Sequence, residues 1–439
     1  MSERAPLSTL LKAALCLLLL APGAARAQAQ EQPEKPPRLK RERFGRSLER
    51  LKWDEEMKRA VESARRNSKQ EGGGDEEDEV VRVETSLVVC DVLVLDRQGR
   101  AVKGLTREDF LITEDGRAQE VGAFALGDSL NVPRSIVLVI DYSPSMIPFI
   151  RNSVEAAQTL VSQLGPRDRM ALVTDDVELL ADFTRDKELL RKKLDGLRRK
   201  ATSGEPFRPG RFGLSRQYSA LLATLREMFD AEDTRPIVIF QTDGDELPSL
   251  RDSSVPMYEP PLPRGVSPKS WQAMRAGSDA RRPQFSIADV FKAAERSRAT
   301  VYTVIPGVRL IGLKPGEAPE KAKALRRAYE VSSPTPANDY SAAMRDHLLE
   351  YMVRHWPQQQ LALYGLSKLT GGWTKFLEEP SQAAGIYADI FNDIGSRYVV
   401  GFYPTNKERD GKRRRVQIEV RGHPEYTVWG RKSYYAPGS

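Results

Sequence analysis

Residues 136–146 read IVLVIDYSPSM, five apolar residues followed at once by Asp141, Ser143 and Ser145. A short continuous apolar run rich in β-branched residues suits a strand buried on both faces, as in a parallel sheet. The three oxygen-bearing side chains then fall just past the strand's carboxyl end, where ligands gather in open parallel sheets.

The surrounding sequence supplies the rest of such a sheet. Met146, Ile147, Ile150, Val154, Ala157, Val161 and Leu164 step by three and four until Gly165-Pro166, which predicts a helix with a sharp stop. RMALVT is the next strand, with VELLADFT as its hairpin mate, and helices are expected over 186–199 and 215–229. PIVIFQTDGD gives a further strand and turn, residues 287–294 a helix, and TVYTVI a strand. Helix 359–369, the Gly371-Gly372 stop, strand WTKFL and helix 381–395 follow. Strands alternating with helices predict an α/β fold with a doubly wound, mostly parallel sheet. Two insertions interrupt it: a long Pro-, Arg- and Ser-rich loop at 248–284, and residues 306–358, where two helices are expected.

Asp243, in TDGD, occupies the same strand-end place as Asp141. Two carboxylates and two hydroxyls at one sheet edge, with no His or Cys among them, suit a hard divalent cation such as Mg²⁺. Facing carboxylates without a cation would repel each other. The competing reading is that Asp141 and the serines cap the following helix, a position that favours Asp and Ser.

On these residues the region 134–395 resembles the von Willebrand factor A domain, whose metal-ion-dependent adhesion site has the pattern D-x-S-x-S, a Thr from a second loop and an Asp from a third. The resemblance implies that Asp141, Ser143, Ser145 and Asp243 help to hold Mg²⁺, with Mn²⁺ or Ca²⁺ as alternatives. The family's Thr-Ala-Leu-Tyr-Asp-Ala-Leu segment lays its Thr on Ser215 in LSRQYSAL, aligned through Tyr218, Ala220 and Leu221. Ser215 retains a hydroxyl, and Pro144 stands where the family has Gly.

The flanks are β-rich. Residues 80–130 carry VVRVETSLVVCDVLVLD and a hairpin turn at Asp115-Gly116, and residues 396–437 carry RYVVGFYP, RRRVQIEV and YTVWGRKSYY. Together they predict one small β-sandwich into which the α/β domain is inserted. In order along the chain, both flanks are similar to the secreted bacterial family described only as "VWFA-related", which implies an exported binding protein and names no ligand.

The amino-terminal residues 1–27, MSERAPLSTLLKAALCLLLLAPGAARA, combine basic residues, a short apolar run and an Ala-Arg-Ala cleavage site, the pattern of a secretory signal. Leu15 before Cys16 does not suit a lipoprotein signal. After removal only Cys90 remains, so an exported chain has no disulfide framework and relies on packing or a metal. Export places the protein in the periplasm or outside the cell. Residues 28–79 are charged and polar, with a helix suggested by Phe44, Leu48, Leu51, Met57 and Val61.

Among 439 residues with a formal charge of +7 there is no G-x-G-x-x-G after a strand, no phosphate-binding G-x-x-x-x-G-K-[ST] and no G-x-S-x-G elbow. His347, His355 and His423 lie far in sequence from both aspartates. Alternation in KRRRVQIEV puts Arg on a solvated strand face, which argues against a nucleic-acid partner. The reading is therefore a non-enzymatic module that captures a Glu or Asp of a protein partner through a bound cation. The alternatives are a metal-free interaction scaffold and, behind it, a Mg²⁺-dependent phosphoryl-transfer enzyme; the sequence does not fix the assembly state.

Overall fold

A computed structural model describes residues 44–62, 87–126, 133–202, 215–230, 235–259, 282–332 and 339–438, together with a few positions between 261 and 272. The expected signal segment 1–27, most of the charged segment 28–79 and part of the loop 248–284 lie outside the described residues.

A helical turn α1 (Arg46–Glu49) leads into strands β1 (Leu51–Asp54) and β2 (Arg59–Glu62). The first flank contributes β3 (Val88–Leu95), β4 (Phe110–Glu114), β5 (Arg117–Gln119) and β6 (Val121–Leu126). The middle then runs β7 (Arg134–Ile140), α2 (Ile150–Gln163), β8 (Arg169–Thr174), β9 (Leu179–Thr184), α3 (Lys187–Thr202), α4 (Gln217–Glu227) and β10 (Arg235–Gln241). It continues through α5 (Ile287–Arg296), β11 (Thr300–Pro306), α6 (Glu317–Ser332), α7 (Asp339–Leu369), β12 (Thr374–Leu377) and α8 (Ala383–Ser396). The second flank is β13 (Tyr398–Phe402), β14 (Arg413–Val420), β15 (Thr427–Trp429) and β16 (Ser433–Tyr435).

The middle forms a six-stranded sheet in the order β12-β11-β10-β7-β8-β9, parallel except for β9, which returns antiparallel to β8. Successive side chains on a strand point to opposite faces, and β7 shows the consequence. Ile136, Leu138 and Ile140 enter one core with α2, α3 and α8, whereas Val137 and Val139 enter the other with α4, α5 and α7. All five are almost wholly removed from water, which stabilises the fold by about 1.5–3 kcal/mol for each such side chain. The doubly wound reading of the apolar run is therefore the observed one.

The flanks meet in two four-stranded sheets, β15-β3-β13-β6 and β16-β14-β4-β5. Strand β13 lies between β3 and β6, and β14 pairs with β4, so each sheet mixes strands from before and after the α/β body. The two-residue turn from β4 to β5 has positive φ at both Asp115 (48°) and Gly116 (83°), the conformation that Asp-Gly favours in tight hairpins.

Sandwich and body are joined at the amino end of the parallel sheet. Arg235, the first residue of β10, is buried with its Nε 3.4 Å from Asp91 Oδ1 and donates to Ile394 O at 2.8 Å. Arg397 donates to Asp393 Oδ2 at 2.8 Å and to Gly371 O at 2.6 Å, and Tyr302 donates to the same Asp393 oxygen at 2.7 Å. This junction leaves the carboxyl ends of the strands free for a site.

Three expectations need correction. Residues 51–62 form a hairpin rather than a helix: Asp54 Oδ1 accepts the Met57 N–H at 2.8 Å and Lys58 takes φ 46°, which turns the chain back. Leu51 is then buried against the α4 side of the body. The helix expected over 359–369 is the end of α7, which begins at Asp339 and runs through Pro357. Pro breaks helices when unsupported, but Leu349, Met352, Trp356, Leu363 and Leu366 are buried on both sides of it, and that packing outweighs the lost hydrogen bond. In β14, Arg413 and Arg415 are exposed, but Arg414 points into the sandwich and pairs with buried Glu114 at 3.1 Å.

Glu114 also accepts the Tyr434 hydroxyl at 3.0 Å, and Arg414 donates to Asn406 O at 2.9 Å and Glu408 O at 2.7 Å. Removing one partner of a buried pair leaves an uncompensated charge. Glu114→Ala is expected to lower unfolding free energy by about 3 kcal/mol in urea denaturation; a loss below about 1 kcal/mol would show that the carbonyls alone satisfy Arg414.

Candidate metal centre

Strand register brings the acids together. Ile140 on β7 lies opposite Gln241 on β10 and Thr174 on β8. The next residues, Asp141, Thr242 and Asp175, therefore emerge side by side at the carboxyl edge of the sheet.

Each serves the others. Asp141 Oδ1 accepts the Ser143 N–H at 2.9 Å, and its Oδ2 accepts the Thr242 hydroxyl at 2.9 Å. Asp175 Oδ1 accepts the Tyr142 N–H at 3.1 Å, which fixes the loop that carries the serines. Ser143 Oγ lies 3.0 Å from Ser145 Oγ, and the Ser145 hydroxyl donates to Asp245 Oδ2 at 2.7 Å. One carboxylate oxygen from each of Asp141, Asp243 and Asp245 lies within 4.8 Å of the others.

Gly244 makes that geometry accessible. Its φ of 80° turns the chain so that both flanking aspartates face the cluster, and a Cβ there would meet Leu363 Cδ1 at 3.1 Å and the Tyr218 hydroxyl at 3.3 Å. The turn is held by Gly244 N–H donating to Thr242 Oγ1 at 3.0 Å and Asp245 N–H donating to Asp243 Oδ1 at 3.1 Å.

Helix α4 closes the site from the second loop. Gln217, its first residue, is wholly buried and donates from Nε2 to Asp141 Oδ2 at 2.7 Å, to Asp243 Oδ1 at 3.4 Å and to Asp245 Oδ1. Its Oε1 accepts the Glu246 N–H at 2.9 Å, while the Glu246 carboxylate accepts the Ser219 N–H at 2.9 Å and hydroxyl at 2.6 Å. Ser215, just before the helix, is near enough to Asp245 to help hold its carboxyl down, yet Ser215 Oγ and Asp243 Oδ2 are buried without a hydrogen-bond partner of ordinary geometry.

Electrostatics mark the cluster as overcrowded with negative charge. Burial, then the charges of Asp245 and Asp141, push the Asp243 carboxyl well above the ordinary range. Burial and Asp141 push Asp245 up to about 6. An all-oxygen donor set with crowded carboxylates and two unpartnered buried oxygens fits a hard divalent cation.

Asp141, Ser143 and Asp243 are only 1–2% exposed, whereas Ser145 and Asp245 are half-buried and form the approach. Tyr329 of α6 stands beside that approach. Its hydroxyl donates to the Ser145 carbonyl, its ring meets Phe149 edge-on at 6.4 Å, and burial together with the three aspartates pushes its phenol well up.

The structure thus brings Asp141, Ser143, Ser145, Ser215 and Asp243 to one edge. The pattern reading did not include Asp245, Gln217 or Tyr329. Asp245 was signalled by the second acid of TDGD; Gln217 and Tyr329 carried no local signal. His347 binds Glu259 O at 3.0 Å on the insertion and His423 pairs with Glu425 at 3.1 Å, both apart from this cluster.

No protein-family model and no curated protein matches the chain. Among solved structures it is similar to the conserved hypothetical protein BatB from Bacteroides thetaiotaomicron, at 11% identity and TM-score 0.32, over 59% of this chain and 98% of that one. It is also similar to a von Willebrand factor type A protein from Catenulispora acidiphila, at 10% identity and TM-score 0.32, over 80% and 74% of the two chains. A third is the manganese-loaded TRAP protein from Plasmodium vivax, at 11% identity and TM-score 0.26, over 74% and 98%. Superpositions this loose leave the fold to be read from the chain's own strand order, a mostly parallel six-stranded sheet with helices on both faces.

Asp243 and Asp245 hold their protons more tightly in the folded protein than in the unfolded chain, where carboxyls titrate near about 4. In chelator, stability contributed by these protons is full below that value and is lost as pH rises through the raised one, about 6 for Asp245. Urea midpoints at about pH 4.5 and 7 should fall more for the wild type than for Asp245→Asn. Equal changes in the two proteins would contradict the crowding.

Proposed function

We propose that the chain is an exported, non-enzymatic binding module that holds one divalent cation at this edge and captures an acidic side chain of a protein partner there. The observation that carries the reading is the convergence of three carboxylates and two serine hydroxyls, with two buried oxygens unpartnered, at a half-open sheet edge. Asp141, Ser143, Ser145, Ser215, Asp243 and Asp245 are the residues that would hold the cation, and the oxygen-only set favours Mg²⁺, with Mn²⁺ or Ca²⁺ as substitutes. A bound cation of this kind supplies a positive, electrophilic position that a Glu or Asp can fill.

The chain's own residues do the positioning. Tyr142 and Thr242 fix Asp141 and its loop through the bonds described, and Gly244 sets Asp243 and Asp245 on one side. Ser145 and Asp245 form the rim from which a partner would approach. Among the described residues no helix is long and apolar enough to cross a membrane. Export rests on residues 1–27 and the flanks' resemblance. The hydroxyl set against a carboxylate here, Ser145 on Asp245 at 2.7 Å, is read as part of the cation's donor set rather than as a nucleophile with its base.

Calorimetric titration with Mg²⁺ and with Mn²⁺ is the test. The wild type should take up one equivalent, and Asp141→Ala and Asp243→Ala should take up none while keeping the native circular dichroism spectrum. Pull-down from envelope extract should recover a partner in Mg²⁺ and lose it in chelator or with Asp141→Ala. Absence of cation binding by the wild type, or capture that persists in chelator, would overturn the reading.

A further inference from the structure

We infer that Gln217 is a built-in competitor of the cation: its side-chain amide donates into the same three carboxylates that a cation would bridge, so cation binding requires that amide to leave. The inference rests on the metal reading above and adds what opposes and tunes it.

Three observations carry it. First, Nε2 of Gln217 contacts Asp141 Oδ2 at 2.7 Å, Asp243 Oδ1 at 3.4 Å and Asp245 Oδ1, so one nitrogen serves all three acids of the cluster. An amide NH₂ has two hydrogens for these three acceptors and offers partial positive charge, which is the chemistry a cation supplies in stronger form. Second, the amide cannot simply turn over and present its oxygen. Oε1 is engaged by the Glu246 N–H at 2.9 Å, and Glu246 is itself fixed by Ser219 at 2.6 and 2.9 Å. Exchange of the two ends would put a carbonyl against carboxylates and an NH₂ against an N–H. Third, Gln217 is wholly buried as the first residue of α4, so the side chain has no solvent-facing position to adopt without motion at the helix start.

The amide therefore has two consequences. It holds the acids together when no cation is bound, because hydrogen bonds to charged acceptors are among the stronger ones. It also weakens cation affinity, since those bonds must be given up on binding. The site then works as a switch: the acids are held by the amide or would be held in its place by a divalent ion, and Ser215 and the start of α4 would differ between the two states.

Leucine has nearly the volume of glutamine without its polar end, so Gln217→Leu is the probe, with Gln217→Asn, too short to reach all three acids, as the second variant should the first not fold. Isothermal titration of the mature chain with Mn²⁺ should show about tenfold tighter binding in the variant, the effect of one lost charge-assisted hydrogen bond. In chelator the variant should melt below the wild type, and saturating Mn²⁺ should close that gap. Equal affinity in the two proteins, or an unchanged melting temperature in chelator, overturns the inference while the metal reading stands. Weaker binding in the variant also overturns it and makes Gln217 a ligand. Failure of both proteins to bind Mn²⁺ overturns the metal reading and this inference together.

Discussion

Like-charge crowding is the constraint on which the carboxyl edge of this protein is built. Three aspartates from two neighbouring strand ends share a space of 4.8 Å, and water, which would normally screen them, is largely kept out. At such separations two negative charges repel by on the order of 4 kcal/mol at the effective dielectric of a protein surface. Several donors nearby answer that repulsion. Ser143 N–H and the Thr242 hydroxyl serve Asp141, Ser145 serves Asp245, the Asp245 N–H serves Asp243, and the Gln217 amide reaches all three. The raised proton affinities of Asp243 and Asp245 show that these donors do not fully balance the charge.

The rest of the architecture keeps that edge available. The sandwich is tied on at the opposite, amino end of the sheet through Arg235 and Asp91, with Arg397 and Asp393 buried beneath it. Insertion helices instead approach the site edge: Leu363 of α7 packs on Gly244, and Tyr329 of α6 binds the backbone of Ser145. These contacts brace the two loops that carry Asp245 and the serines. They also narrow the approach to the side on which Ser145 and Asp245 remain half-exposed.

Much of this was legible in the sequence, for reasons particular to the residues. IVLVI followed by Asp and two serines could be read as a buried strand with an oxygen-rich end because those five residues include nothing polar, and PIVIF before QTDGD repeats the pattern. The Asp-Gly turn of the sandwich and the interleaving of its flanks followed from strong β signals on both sides of the α/β region. What escaped depends on backbone direction rather than composition. Asp245 belongs to the cluster only because Gly244 turns with a positive φ, and Gln217 only because α4 starts where it does. Tyr329 arrives from an insertion separated from Ser145 by 184 positions, a relation no local pattern carries. Residues 51–62 had helix-like apolar spacing, but the Asp54 carboxylate binding the Met57 N–H decided for a hairpin.

Asp141, Asp243 and Asp245, with the neighbouring serines, are proposed to form one cation site. Anomalous diffraction at the manganese edge from crystals grown in Mn²⁺ tests it most directly. One strong peak is expected among the carboxylates of these three residues and the hydroxyls of Ser143 and Ser145. A map with no peak there would contradict it, as would one whose manganese sits only on surface acids while the three aspartates keep their hydrogen bonds to protein.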